Sequence, residues 1–121
     1  MYRVLIVDDH ADVRQGVRQV LNEQLHPEAQ GEASNADEAI AMVEHTNWDV
    51  VILDVNMPGK SGMDALRAMK KRHPGLPIIM FSGIPPEQVA KRFKAAGASD
   101  YVSKGGPAED LVRAIRNAVG H

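Results

Sequence analysis

The sequence predicts an α/β domain built on a doubly wound, five-stranded parallel sheet with five helices. Three observations predict it. Short strand patterns alternate five times with stretches whose apolar residues recur at helical spacing. The clearest runs, VLIV and VVIL, are continuously apolar, as strands covered on both faces are. Both end directly in acidic residues, and the carboxyl edge of such a sheet is where open α/β folds place their sites.

The elements follow in order. Val4 to Val7 is the first strand. Val13, Val17, Val20 and Leu21 mark a helix from about Ala11 to Gln24, which Pro27 excludes from continuing. Ala29 to Ala33 is a weak second strand, placed mainly by its position. Ser34 or Asn35 can cap the second helix, with Ala36, Ala39, Ile40 and Val43 inward. Val50 to Leu53 is the third strand. The turn residues Asn56-Met57-Pro58-Gly59 come next, then a helix from about Gly62 to Arg72 with Met63, Leu66 and Met69 inward. Pro74, Gly75 and Pro77 close it. Ile78 to Phe81 is the fourth strand. Pro85 and Pro86 open a helix carrying Val89 and Phe93 and ending near Gly97. Asp100 to Val102 is a short fifth strand, and Pro107 opens a last helix with Leu111, Val112, Ile115 and Val119 inward. Right-handed crossovers place helices on both faces. The expected version is flavodoxin-like, strand order 2-1-3-4-5, with its switch point between strands 1 and 3.

Composition narrows the function classes. A chain of 121 residues defaults to one domain, 1–121, and is long enough to bury a core unaided. A net charge of −2 gives no electrostatic footprint for nucleic acid. The absence of cysteine excludes disulfides and thiolate chemistry and allows a cytoplasmic location. No apolar stretch approaches a membrane span, and RVLIV near Met1 is too short for a signal peptide.

The chemistry gathers at the switch point. Asp8, Asp9 and Asp54 all follow strands there. Like charges about 4 Å apart at an effective dielectric near 20 repel by roughly 4 kcal/mol per pair. A hard cation with oxygen ligands, Mg²⁺ above all, offsets that repulsion. Ser82 and Lys104 close strands 4 and 5 on the same edge.

With those residues in place, the whole chain resembles the receiver domain of two-component response regulators. The resemblance rests on the Asp8-Asp9 pair, the DxNMPGxxG segment from Asp54 to Gly62, Ser82-Gly83, and the aromatic-x-x-Lys from Tyr101 to Lys104. It implies that Asp54 accepts a phosphoryl group. It implies that Asp9, Asp54 and the Asn56 backbone carbonyl bind Mg²⁺, with Asp8 assisting through water. Lys104 would contact phosphoryl oxygens, Ser82 would bond the attached group, and Gly83 would leave room for the donor. Ser82 and Tyr101 would form the switch, with Tyr101 turning inward. The implied partners are a sensor histidine kinase and a second receiver. The implied activity is a signalling switch, not an enzyme beyond its own phosphoryl acceptance and hydrolysis.

The opening DDH and the ending SKGGPAEDLVRAIRNAV are similar to receivers of LuxR-type transcription regulators. DNA would then be reached only through an output domain outside this chain, and truncation at His121 is the expectation. Many receivers have a cis proline after the lysine. Gly105 stands there instead, and a trans bond is expected, since cis costs a non-proline residue about 2.5–4 kcal/mol.

Each residue also has a structural explanation. Lys104 alone reads as a surface lysine, Ser82 as a helix cap, Pro58-Gly59 as a turn and Tyr101 as packing. Gly62 reads as a backbone requirement. His10 is not expected to ligate Mg²⁺, because oxygen-rich sites rarely use imidazole. His26, His45, His73 and His121 have no assigned partners. Lys70, Lys71 and Arg72 suit a helix C-terminus, and Lys91, Arg92 and Lys94 form a solvated face that receivers use for partners. Two other functions compete. A haloacid dehalogenase-type phosphatase needs DxDxT after the first strand, where this chain has VDDHAD. A phosphorylation-independent receiver would lack the acceptor or the lysine, and both are present.

Overall fold

The computed structural model describes residues 2–120, so Met1 and His121 lie outside the described residues. Five strands, β1 (Arg3–Val7), β2 (Ala29–Ala33), β3 (Val50–Leu53), β4 (Ile78–Ser82) and β5 (Asp100–Ser103), alternate with five helices. These are α1 (Ala11–Gln24), α2 (Ala36–His45), α3 (Gly62–Arg72), α4 (Pro86–Ala95) and α5 (Ala108–Ala118). The strands are all parallel in the order β2-β1-β3-β4-β5.

Alternation along the strands feeds two cores. Leu5, Val7, Val51 and Leu53 face α2, α3 and α4, meeting Ala39, Leu66, Met69 and Phe93. Val4, Ile6, Val50 and Ile52 face α1 and α5, meeting Val17, Leu21, Leu111 and Ile115. All four residues of β3 are buried, which is why that strand reads as an unbroken apolar run. β2, by contrast, is an edge strand of sequence AQGEA with only Ala33 buried. The Trp48 ring lies where a side chain at Gly31 would stand. The pattern there is weak because a neighbouring ring, not the strand's own side chains, supplies the packing.

Observed boundaries run slightly past the expected ones. β1 begins at Arg3, β4 reaches Ser82 and β5 reaches Ser103. Asn35, not Ser34, caps α2: its side chain accepts from Glu38 N at 2.8 Å, and the Glu38 carboxylate accepts from Ser34 N at 2.9 Å. Pro107 stands just before α5, and Val119 caps its end, half-buried. Lys70 does more than complement a helix dipole: its ammonium donates to the carbonyls of Pro74 and Leu76 at 2.7 and 2.9 Å.

The turn after β3 fixes the geometry beside Asp54. Gly59 has φ +79°, a conformation that favours glycine. Gly62 donates its N–H to Val55 O at 2.8 Å. A Cβ at Gly62 would overlap the Asp54 carbonyl oxygen and lie 2.7 Å from Val55 Cα, so helix and strand end touch through backbone alone. Gly62→Ala should therefore cost about 3 kcal/mol, since none of those atoms can rotate away. Urea denaturation checks this; an unchanged midpoint would mean that the α3 start can move off β3.

Candidate functional site at the carboxyl edge of the sheet

Backbone hydrogen bonds lace neighbouring strand ends together. Asp8 N donates to Ala33 O at 3.0 Å, Asp54 N to Val7 O at 3.0 Å and Lys104 N to Ser82 O at 2.9 Å. Each bond carries one polar side chain to the carboxyl edge of the sheet. Asp8, Asp54 and Ser82 are 2%, 4% and 1% exposed, the buried polar or charged residues among the described ones. Buried carboxylates need partners.

Lys104 supplies one. Its ammonium lies 2.7 Å from Asp8 Oδ2 and 3.3 Å from Asp54 Oδ1. A lone reading of Lys104 as a surface residue is thereby displaced: the side chain is 23% exposed. Part of the expected repulsion is therefore offset without a metal. Asp8 accepts from Lys104 through one oxygen and from His10 N, at 2.9 Å, through the other. Asp54 differs. Burial first, then the Asp8 charge, push its pKa up, and Lys104 and the Val55 N–H only partly counter them. Burial acts to lower the Lys104 pKa, yet the bond to Asp8 and the charges of Asp54 and Asp8 outweigh it and raise it. The ammonium is thus held charged.

Asp9 is the less buried acid, with a side chain 25% exposed. Its Oδ1 atom is buried and accepts no hydrogen bond. The His10 Nδ1 lies 3.1 Å away without bonding it; the bond it makes is to Asp8 Oδ1 at 3.1 Å. One ligand atom from each of Asp8, Asp9, His10 and Asp54 falls within 4.8 Å of the others. Three carboxylates with an orphaned acceptor fit a hard divalent cation.

The remaining expected residues sit around this cluster. Asn56 is exposed at the head of the loop after Asp54. A Cβ at Gly83 would meet open space. The Ser82 hydroxyl accepts from Ile84 N at 3.1 Å. Tyr101 donates its hydroxyl to Ile84 O at 2.8 Å and packs on Phe93 with ring centroids 5.8 Å apart. Its ring is already inside, at 7% exposure. The inward position expected of the phosphorylated switch is already taken here, with the ring held by the Phe93 contact and the Ile84 carbonyl. No peptide bond is cis among the described residues, so Lys104-Gly105 is trans.

Sequence reading missed Arg14. From α1 its guanidinium donates to the Asp8 carbonyl and to Glu32 Oε1 at 3.0 Å, tying the helix to β2 and to the acidic loop. The available signal was its place one turn into α1 after the acidic pair. His73, left without a partner, meets Glu44 at 3.2 Å.

Among the described residues, no helix is long and apolar enough to cross a membrane. Residues 4–116 match the model of the response regulator receiver domain family. Response regulator UvrY of Escherichia coli (strain K12) is 35% identical over 117 residues, which are 97% of this chain and 54% of that protein. A protein-glutamate methylesterase/protein-glutamine glutaminase of Pyrococcus abyssi is 42% identical over 84% of this chain and 28% of its own length. The chain spans about half, or less, of these relatives. The solved structure of a LuxR-family two-component response regulator from Aurantimonas sp. superposes with a TM-score of 0.92 at 31% identity, covering 98% of this chain and 85% of that one. The buried Asp8 and Asp54 bridged by Lys104, the 2-1-3-4-5 sheet and these matches converge: the chain belongs to the receiver domain family of two-component response regulators.

Proposed function

We propose that residues 1–121 form one receiver domain that accepts a phosphoryl group on Asp54 and relays it as a conformational change. The observation that carries the reading is Lys104, held between Asp8 and Asp54 at the buried switch point. An Asp54 carboxylate oxygen forms the new bond to phosphorus in line with the departing donor. The donor's bond to phosphorus breaks, and its electron pair leaves with it. The Lys104 ammonium compensates charge on the phosphoryl oxygens. Asp9, Asp54 and the Asn56 carbonyl would hold Mg²⁺, with Asp8 acting through water because its own oxygens are engaged. Mg²⁺ there supplies further charge compensation and orientation. The domain is no enzyme beyond its own phosphorylation and hydrolysis. A sensor histidine kinase is the donor, a second receiver is the other partner, and the location is cytoplasmic. Likeness to a LuxR-family regulator supports a DNA-binding output domain and control of transcription.

The relay runs through Ile84. Its N–H bonds Ser82 and its carbonyl bonds Tyr101, so Ser82 turning toward a phosphoryl oxygen moves the loop that holds the ring. Shifting a two-state equilibrium from 1:99 to 99:1 needs about 5.5 kcal/mol. One charged hydrogen bond contributes roughly 1.5–3 kcal/mol, so Lys104 must share the task. Ser82→Ala should still accept phosphoryl but respond weakly. Amide NMR with Mg²⁺ and beryllofluoride tests both levels. Shifts around Asp54 and Lys104 support the site, and their absence in the parent protein would count against it. Shifts from Val89 to Tyr101 should shrink in Ser82→Ala; equal shifts would remove Ser82 from the relay.

A further inference from the structure

His10 is exposed, yet its ring points at the acidic cluster and not into solvent alone. Its Nδ1 lies 3.1 Å from Asp8 Oδ1 and 3.1 Å from Asp9 Oδ1. Ligands on adjacent corners of an octahedron with metal bonds of about 2.1 Å stand about 3.0 Å apart. The imidazole nitrogen therefore already stands at a ligand's spacing from the Asp9 carboxylate, while its approach to Asp8 Oδ1 is a hydrogen bond. Asp9 Oδ1 is the buried acceptor without a hydrogen bond. The backbone fixes this placement. His10 stands at the N-cap of α1, its N–H donates to Asp8 Oδ1 at 2.9 Å, and its carbonyl accepts from Arg14 N at 3.2 Å.

Resting on the metal-site reading above, we infer that His10 adds an imidazole ligand to this pocket, so that it holds first-row transition-metal ions such as Co²⁺ more tightly than Mg²⁺. Mg²⁺ takes oxygen ligands and gains little from the ring. Later first-row ions bind imidazole well, and their affinity for a mixed nitrogen–oxygen site rises along the series. The carboxylates serve either ion, and His10 discriminates between them. Binding a cation would replace the Nδ1 hydrogen bond to Asp8: the Nδ1 proton passes to solvent, the ring keeps its Nε2 proton, and the Nδ1 lone pair faces the ion. Transition-metal ions and Mg²⁺ then compete for one position.

Calorimetric titration of the full chain with Co²⁺ and, separately, Mg²⁺ tests this, alongside the absorption spectrum of bound Co²⁺. His10 is exposed, with 61% of its side chain accessible, so His10→Ala should fold normally. That variant should lose at least about tenfold in Co²⁺ affinity, as loss of a ligand or its support does, with a changed Co²⁺ spectrum. Its Mg²⁺ affinity should stay within about twofold of the parent's. Equal losses for both ions, or no loss for Co²⁺, would overturn the role of His10 while leaving the Mg²⁺ site standing. A parent chain that binds neither ion, or an Asp9→Ala variant that keeps both, would overturn the metal reading itself.

Discussion

Asp54→Asn is expected to abolish phosphoryl acceptance completely and to leave a more stable protein. The amide keeps the shape of the carboxylate but is a poor nucleophile, so the bond to phosphorus does not form. The stability gain follows from the raised Asp54 pKa, caused by burial and by Asp8. The sign is that of a group whose folded pKa exceeds its unfolded one. Its favourable contribution is complete below the unfolded pKa, where the carboxyl is protonated in both states. It is lost as pH rises through the folded pKa, where folding must accommodate a buried charge. At neutral pH the parent carries that cost and the amide does not. The melting temperature of Asp54→Asn should exceed the parent's at pH 7 and converge with it as pH falls toward 4. Denaturation across that range checks the direction. A variant less stable than the parent at pH 7 would mean that the Lys104 contact outweighs burial.

Mg²⁺ should raise stability by binding the folded site and not the unfolded chain. At 100 times the dissociation constant the gain is about 2.7 kcal/mol, or about 10 °C for a domain of this size. Asp9→Ala should abolish the response, because Asp9 brings the free buried oxygen while Asp8 is already engaged. Lys104 moderates the effect, since it neutralises part of the cluster without metal. Coinciding melting curves for the parent with and without Mg²⁺ would contradict the metal assignment.

The fold was legible because its central strands are buried on both faces. β3 and β1 state their burial in unbroken apolar runs, and α1 and α3 state theirs by spacing. β2 was legible only by position, since Trp48 fills the space over Gly31. The placement of Asp8, Asp54, Ser82 and Lys104 on one edge followed from strand order. Their pairing did not. That Lys104 reaches Asp8 more closely than Asp54 depends on side-chain reach across three strand ends. Arg14 was hidden for the same reason: its partners, Asp8 and Glu32, lie on two other elements. Tyr101 was read as packing with a further role. The structure adds the physical link, a shared Ile84 backbone between its hydroxyl and that of Ser82.

Asp54 is the residue proposed to carry the phosphoryl group. Borohydride reduces an aspartyl phosphate to homoserine at the residue that bore it. Treatment with acetyl phosphate and Mg²⁺, then reduction and peptide mass spectrometry, reads the position directly. The prediction is homoserine at position 54 alone, and only when Mg²⁺ was present. Homoserine at position 8 or 9, or at none, would contradict it.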